Sequence, residues 1–186
     1  MDTAMIDKNS MEAVLKDAFL THPVKEYTWV DPKCLPFSAD VRGMCEANRC
    51  GMYGKSWSCP PGAGDWETLR DAYQAKDAAF LYTTCYQLED SFDIEGMAEA
   101  KKMHRALDRS VTARLRDAGI SHILLGAGTC DLCTTCTYPT APCRHPDLMQ
   151  RSMEACGMDV VTLSRLAGVK YNNGSETVTY FSLILF

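Results

Sequence analysis

The feature that most constrains this chain is a pair of compact cysteine runs, which hold seven of its ten cysteines. The first lies in CEANRCGMYGKSWSCPPGAG, residues 45–64, and the second in CDLCTTCTYPTAPCRHP, residues 130–146. The glycines and prolines among these cysteines favour irregular loops over helices or strands. Such loops offer little apolar core, so we expect these cysteines to bind a metal or cluster rather than to pack as small hydrophobic residues.

The composition indicates an ordinary globular protein, with 46% hydrophobic and 23% charged residues and a net charge of −5. This acidic balance does not favour nucleic acid or an anionic membrane surface as a partner, and no apolar run is long enough to span a membrane. The start, MDTAMIDKNSMEAVLKDAFL, lacks the basic and apolar regions of a secretory signal. We therefore expect a cytoplasmic protein, in which thiols stay reduced and structural disulfides are rare.

The second run has the spacing C-x2-C-x2-C-x6-C and forms a four-cysteine group: Cys130, Cys133, Cys136 and Cys143. A C-x2-C-x2-C triplet is the ligand run of bacterial-type ferredoxins. Residues three apart on a tight loop can supply the separate thiolates that the irons of a cubane cluster need. Zinc usually takes its ligands from two separate C-x2-C pairs, so the spacing favours a [4Fe-4S] cluster over zinc. The final gap of six residues leaves Cys143 free to complete the same local site.

The first run has the spacing C-x4-C-x8-C and forms a three-cysteine group: Cys45, Cys50 and Cys59. A fourth ligand could come from Cys34, Cys85 or Cys156, or from outside the protein. An iron that lacks a protein ligand can bind a substrate, just as catalytic zinc sites keep one coordination position open and structural zinc sites do not. For Cys34, Cys85 and Cys156, packing as small hydrophobic residues is the favoured interpretation.

Four other side chains near the cysteines are candidates for tuning a bound cluster. Lys55 and Arg144 are cations, and nearby cations would stabilise an anionic cluster and raise its potential. Trp57 lies between ligands and would shield the cluster from water. His145 would either hydrogen-bond to a ligand or only shape the Arg-His-Pro turn, and the sequence leaves both readings open.

The hydrophobic pattern predicts an α/β or α+β fold, with a small mixed sheet of four or five strands, flanking helices and two attached cysteine loops. We expect residues 1–24 to form an N-terminal helical segment and residues 25–186 a single cysteine-rich metal-binding domain. Helices are expected over residues 11–20, 65–78, 93–119, 146–157 and 162–168, and strands over residues 25–30, 78–88, 121–128 and 176–186.

The segment from residue 78 to residue 128 reads as strand, long helix, strand, which is the sequence form of a βαβ unit. Within the long helix, Met103, Leu107, Val111 and Leu115 follow each other at steps of four and predict the buried face. This assignment puts His104 on a solvated or half-buried face.

The stretches VRGMCEANRCGMYGKSWSCPP and CDLCTTCTYPTAPCRHPDLMQRSMEACGMDV resemble the family called domain of unknown function 2284, whose members carry the label of predicted metal-binding proteins. The resemblance extends over residues 25 to 186. It implies that the three-cysteine and four-cysteine groups bind metal, with iron–sulfur clusters as the expected form.

These observations predict an iron–sulfur protein that carries one or two [4Fe-4S] clusters, in an anaerobic type of redox context, and transfers electrons to a protein partner. The first alternative is a redox or sulfur-chemistry enzyme in which the three-cysteine group holds an open-site cluster that binds a small-molecule substrate. The second alternative is an interaction module stabilised by zinc, without redox activity.

Overall fold

The structure, a computed structural model, describes residues 7–186 as a five-stranded mixed sheet with helices packed on its faces. The strands are β1 Val24–Val30, β2 Ala79–Gln87, β3 Ile123–Gly126, β4 Arg151–Ser152 and β5 Thr177–Leu185. The helices are α1 Lys8–Phe19, α2 Ala39–Glu46, α3 Trp66–Gln74, α4 Ile94–Asp117 and α5 Val160–Ala167. The expected mixed α/β fold is confirmed. In this part of the chain no helix is both long and apolar enough to cross a bilayer.

The order of strands across the sheet is β1-β2-β5-β3-β4. β5 is antiparallel to both β2 and β3, so β2 and β3 run parallel to each other with β5 between them. The long helix α4 connects β2 to β3. The expected βαβ unit is therefore present, and the last strand of the chain lies between its two strands.

Alternate residues of β2 supply the cores on the two faces of the sheet, as the two-residue period of a strand requires. Phe80 and Tyr82 pack toward α1 and α4, where Leu15 of α1 is fully buried. Leu81 packs on the opposite face, together with Leu163 of α5. Each large apolar side chain buried in this way contributes roughly 1.5–3 kcal/mol. The described part of the N-terminal segment thus packs on the sheet, while residues 1–6 of that segment lie outside the described residues.

The buried face of α4 differs from the predicted one in its N-terminal half. Leu107 and Val111 are fully buried, as expected, but Met103 is 41% exposed and His104 is fully buried. The prediction for His104 is therefore wrong. A step of four residues overshoots the 3.6-residue turn, so a row of such steps drifts around the helix and leaves the core face.

His104 belongs to a buried polar network between α4 and the sheet. Its Nδ1 lies 2.8 Å from Thr84 Oγ1 and its Nε2 lies 2.9 Å from Ser182 Oγ. The hydroxyls of Tyr82 and Ser182 donate to Asp108 Oδ1 at 2.5 and 2.7 Å. Desolvation lowers the pKa of His104, although the neighbouring Asp108 carboxylate acts in the opposite direction.

We expect the free energy of unfolding to fall as the pH drops below about 6.5, the usual histidine pKa. With the folded-state pKa lowered, the unfolded chain binds a proton first, so stability is lost from the unfolded pKa downward. The slope is at most about 1.4 kcal/mol per pH unit for one histidine. Urea unfolding at pH 7.5, 6.5 and 5.5 measures this slope. His104→Gln should flatten it; an unchanged slope in His104→Gln would refute this assignment.

Two segments near the cysteines differ from the sequence-based prediction. Residues 146–157 are not a helix, because Arg151–Ser152 pairs with the end of β3 and a short 3-10 helix, Glu154–Cys156, follows. Pairing at the sheet edge overrides local helix propensity in this segment. The helix α2 was not predicted; it begins after Ser38, whose side chain accepts a hydrogen bond from the Asp40 amide.

Candidate metal centre

All four cysteines of the four-cysteine group line one small surface cavity in the loop that follows β3. Each of the four cysteines is half-buried, so a bound group would be held by protein on one side and would remain accessible from solvent. The structure thus brings together the residues that the spacing grouped. Their role as ligands stays a prediction. The other lining residues are Ser56, Trp57, Leu132, Thr137, Arg144, His145 and Met149.

Arg105 of α4 holds the start of this loop. Its side chain is 3% exposed, and its Nη2 donates to three successive carbonyls, of residues 127–129, at 2.9, 3.0 and 2.5 Å. Its Nη1 lies 3.3 Å from Asp131 Oδ1. Because one guanidinium binds main-chain and side-chain groups on both sides of Cys130, it fixes the position of that cysteine. Arg105 was not predicted, because the carbonyls that it binds are more than 20 positions away in the sequence.

The segment from Ser56 to Cys59 contacts the start of the loop that carries the four-cysteine group. Ser58 Oγ accepts a hydrogen bond from the Cys130 amide at 3.0 Å and lies 2.9 Å from Ser56 Oγ. In the same segment, Cys59 Sγ lies 3.3 Å from Thr129 Oγ1. The first cysteine run therefore touches the start of the second one, and the two groups are neighbours in space. Sequence analysis missed the two buried serines.

Cys136 is surrounded by hydrogen-bond donors. Burial raises the pKa of its thiol, but the backbone amides of Tyr138 and Trp57, the Ser56 hydroxyl and the amide of Thr137 outweigh burial and lower the pKa overall. Donors of this kind stabilise a thiolate, which is the form of cysteine that binds metals.

Of the four side chains that we expected to tune a cluster, three line the cavity and one does not. Trp57 lines the cavity, and its Nε1 donates to Ala141 O at 3.0 Å. Arg144 also lines the cavity, and its Nη1 donates to Thr135 O at 2.8 Å. His145 lines the cavity but is exposed, and Lys55 is exposed without lining it.

The three-cysteine group consists of Cys59, at the end of the Ser56–Cys59 segment, together with Cys45 and Cys50. Cys45 is in the last turn of α2, and its thiol lies 3.7 Å from Glu154 O. Desolvation raises the pKa of Cys45, and the nearby Glu154, Cys50 and Cys59 raise it further, against the opposing effect of Arg42. The three thiols are therefore close enough to interact electrostatically.

Arg42 positions α2, and Cys45 with it. Its side chain is buried, its Nη1 donates to Ala155 O at 2.9 Å and its Nη2 donates to Gly64 O at 3.0 Å. These bonds tie α2 to the 3-10 helix and to the loop before α3. Cys45 lies one helical turn after Arg42, so the position of Cys45 relative to Glu154 depends on the hydrogen bonds of Arg42.

The three candidates for a fourth ligand lie in three different elements. Cys156 is fully buried in the apolar core, its Sγ is 3.9 Å from the Tyr73 hydroxyl, and burial raises its pKa to about 11. Cys34 is exposed in the short 3-10 helix Pro32–Cys34, and Cys85 lies in β2. Within residues 7–186, none of the three hydrogen-bonds to the three-cysteine group. The packing interpretation therefore fits Cys156 best.

The family model of a predicted metal-binding protein, DUF2284, matches residues 28–186 and so includes both cysteine groups. The chain belongs to this family. Comparisons with curated proteins and with solved structures gave no match. Among residues 7–186 of this DUF2284 chain, no three Cys, His, Asp or Glu side chains converge tightly enough to hold a single metal ion.

A second and larger cavity of about 300 Å³ adjoins the three-cysteine group. It forms because β5 is longer than β3: their pairing ends at Leu125 and Leu183, so residues 177–181 of β5 have no partner on that side. Glu154, whose carbonyl contacts Cys45, is part of the cavity lining. This DUF2284 chain therefore has an open space next to its candidate three-cysteine site.

We expect Cys156→Ala to leave the metal content of the DUF2284 chain unchanged and to lower the free energy of unfolding by about 1 kcal/mol, because it removes one buried atom from a packed core. Iron analysis and urea unfolding measure the two effects. Cys34→Ala, at an exposed site, is the matched control and should change neither quantity. Loss of iron in Cys156→Ala would instead identify Cys156 as the missing ligand.

Proposed function

We propose that this chain is an iron–sulfur protein that holds a [4Fe-4S] cluster in the four-cysteine group and transfers electrons to a redox partner. The observation that carries the proposal is that all four cysteines of the group, spaced as in a ferredoxin ligand run, line one cavity. Four soft sulfur donors fit an iron–sulfur cluster or zinc and do not fit magnesium or calcium.

The donors around Cys136 support the cluster over a purely structural use of the cysteines. Amide and hydroxyl groups that bond to a ligand sulfur stabilise the thiolate and help to set the potential of a cluster. Trp57 lines the cavity and would limit the access of water to a bound cluster. When bound, the cluster supplies one-electron redox chemistry, and these residues hold its ligands in place.

The surface around the four-cysteine group supports a role in electron transfer between proteins. Arg144 and His145 are exposed at the rim of the cavity, and Lys55 is exposed on the segment that leads to Trp57. A cationic rim fits a partner with an acidic docking surface. We infer that the protein acts in the cytoplasm, where thiols stay reduced, in an oxygen-poor setting.

A reductive titration of protein purified without oxygen tests this proposal. We expect a broad visible absorption that dithionite bleaches reversibly, together with an electron paramagnetic resonance signal of the reduced cluster. Cys133→Ser should diminish that signal, and Cys85→Ser should not. A colourless protein that contains zinc would contradict the proposal and would favour the alternative of a zinc-stabilised interaction module.

A second candidate function concerns the three-cysteine group, which we propose to hold a cluster with one open iron, as in a redox or sulfur-chemistry enzyme. The adjoining cavity and the burial of Cys156 in the apolar core support this candidate. Replacing Cys34, Cys85 and Cys156 together by alanine should then leave the iron content unchanged. A loss of about four irons per chain would assign the fourth ligand to the protein and end the open-site proposal.

A further inference from the structure

The larger cavity, of about 300 Å³, is at the lower end of the size range of small-molecule sites in proteins. One wall is main chain, at the turn that ends β3, and the opposite wall comes from β5 and from the segment after β4. The lining residues are Lys101, Gly126, Ala127, Gly128, Met153, Glu154, Val160, Tyr171, Thr179, Tyr180 and Phe181.

Lys101 of α4 supplies the only cation of this lining. The side chain is half-buried, and within residues 7–186 its ammonium makes no hydrogen bond or ion pair. The ammonium lies directly against Gly128: a Cβ built on Gly128 would be 2.5 Å from Lys101 Nζ. Gly128 also has a φ of +71°, a backbone conformation that favours glycine. A larger residue at this position would therefore both strain the backbone and displace the ammonium.

Lys101 lines the cavity on the side of the three-cysteine group. Its ammonium lies against Gly128, and the next residue, Thr129, has its hydroxyl 3.3 Å from Cys59 Sγ. Desolvation and the nearby Arg105 lower the pKa of Lys101, whereas Asp131, Cys59 and Cys50 act in the opposite direction. A ligand group held by Lys101 would therefore lie near Cys59.

The rest of the cavity is mostly apolar. Met153, Val160 and Phe181 line it, and Tyr171 at the exposed mouth stacks on Phe181 with ring centroids 5.6 Å apart. The one carboxyl group is that of Glu154. Desolvation raises the pKa of this carboxyl even though the residue as a whole keeps an exposed surface. A single cation at one end and hydrocarbon along the walls fit a small organic anion.

We propose that this cavity binds a small organic carboxylate, with its anionic group on Lys101 and its apolar part against Met153 and Phe181. The idea that the cavity is the substrate site of an enzyme rests on the proposed open-site cluster in the three-cysteine group. The idea that it binds a carboxylate rests only on the shape of the cavity, the unpartnered cation and the apolar wall.

Calorimetric titration of protein purified without oxygen tests the proposal, with acetate, propanoate, benzoate and phenylacetate as probes and the corresponding amides as uncharged controls. We expect at least one acid to bind about tenfold or more tightly than its amide, because a hydrogen-bonded charge pair is lost in the amide. This comparison needs no variant. If no acid binds, or if acids and amides bind equally, the proposal is overturned.

The variant Lys101→Met tests whether the acid binds at Lys101, and Lys102→Met is the matched control. Lys102 is the next residue of the same helix, is 72% exposed and pairs on the surface with Glu99 at 2.9 Å. Lys101→Met should abolish the preference for the acid, whereas Lys102→Met and Lys101→Arg should retain it. An acid preference that survives in folded Lys101→Met protein, as judged by circular dichroism, would overturn the assignment.

Iron and sulfide analysis of the same samples separates this proposal from the proposed function. An acid preference in protein without iron would support the cavity proposal and contradict the cluster. Iron and sulfide without an acid preference would overturn the cavity proposal alone.

Discussion

Replacing Cys136 by serine should remove about four irons and four sulfides per chain, half of the content that we expect for the unaltered protein. Serine keeps the size of the side chain but replaces the soft thiolate with a poor ligand for iron. The hydrogen-bond donors around Cys136 also lower the pKa of its thiol, because together they outweigh the effect of burial. Its loss should therefore disable the site rather than weaken it. Iron and acid-labile sulfide per chain measure the effect.

Two further variants make this experiment specific. Cys45→Ser should remove the iron of the three-cysteine group and leave that of the four-cysteine group, because Cys45 does not line the cavity of the four-cysteine group. Cys34→Ser, on an exposed 3-10 helix, should remove none. Unchanged iron in Cys136→Ser would contradict the assignment of the four-cysteine group, and equal losses in all three variants would show a general effect on folding.

Replacing Arg105 by methionine should lower the free energy of unfolding by about 3 kcal/mol, because three partly buried main-chain carbonyls lose a charged donor. These are the carbonyls of residues 127–129, which Arg105 binds together with Asp131. We also expect less iron in the four-cysteine group, because the loop that carries Cys130 loses its anchor. Urea unfolding and iron analysis measure the two effects.

Arg109→Met is the control for Arg105→Met. Arg109 lies one turn later on α4 and approaches the same Asp131 at 3.6 Å, but it is 54% exposed. An exposed ion pair contributes at most about 1 kcal/mol, so this variant should keep its iron and most of its stability. Equal losses in the two variants would show that the charge near Asp131, and not the anchoring of the loop, is the important quantity.

Local signals in the sequence were sufficient for several elements of the fold. Asp65 predicted the start of α3, and its side chain indeed accepts from the Thr68 amide. β5 was predicted from its continuous run of apolar and β-branched residues. Both signals act within a few residues of the chain, so they need no knowledge of the tertiary structure.

Other features depended on contacts between distant segments. Arg151–Ser152 forms a strand only because the end of β3 lies beside it, and the pattern of residues 146–157 alone indicated a helix. His104 is buried because the drift of α4 turns it toward Thr84 and Ser182. Neither partner is recognisable from the sequence around His104.

The candidate site shows the same division. The C-x2-C-x2-C spacing was enough to group the cysteines that line one cavity, because these residues are neighbours in the sequence. Arg105 and Lys101 act on residues more than 20 positions away, so no local pattern indicated them. The larger cavity results from the unequal lengths of β3 and β5, which appears only when the two strands pair.

The central claim is that the cysteine groups hold iron and sulfide. The most direct test is to measure iron, zinc and acid-labile sulfide per chain in protein purified without oxygen, with a visible spectrum before and after dithionite. We expect about eight irons and eight sulfides, which correspond to two cubane clusters, and a spectrum that bleaches on reduction. Zinc without sulfide, in a protein with no visible absorption, would contradict the claim.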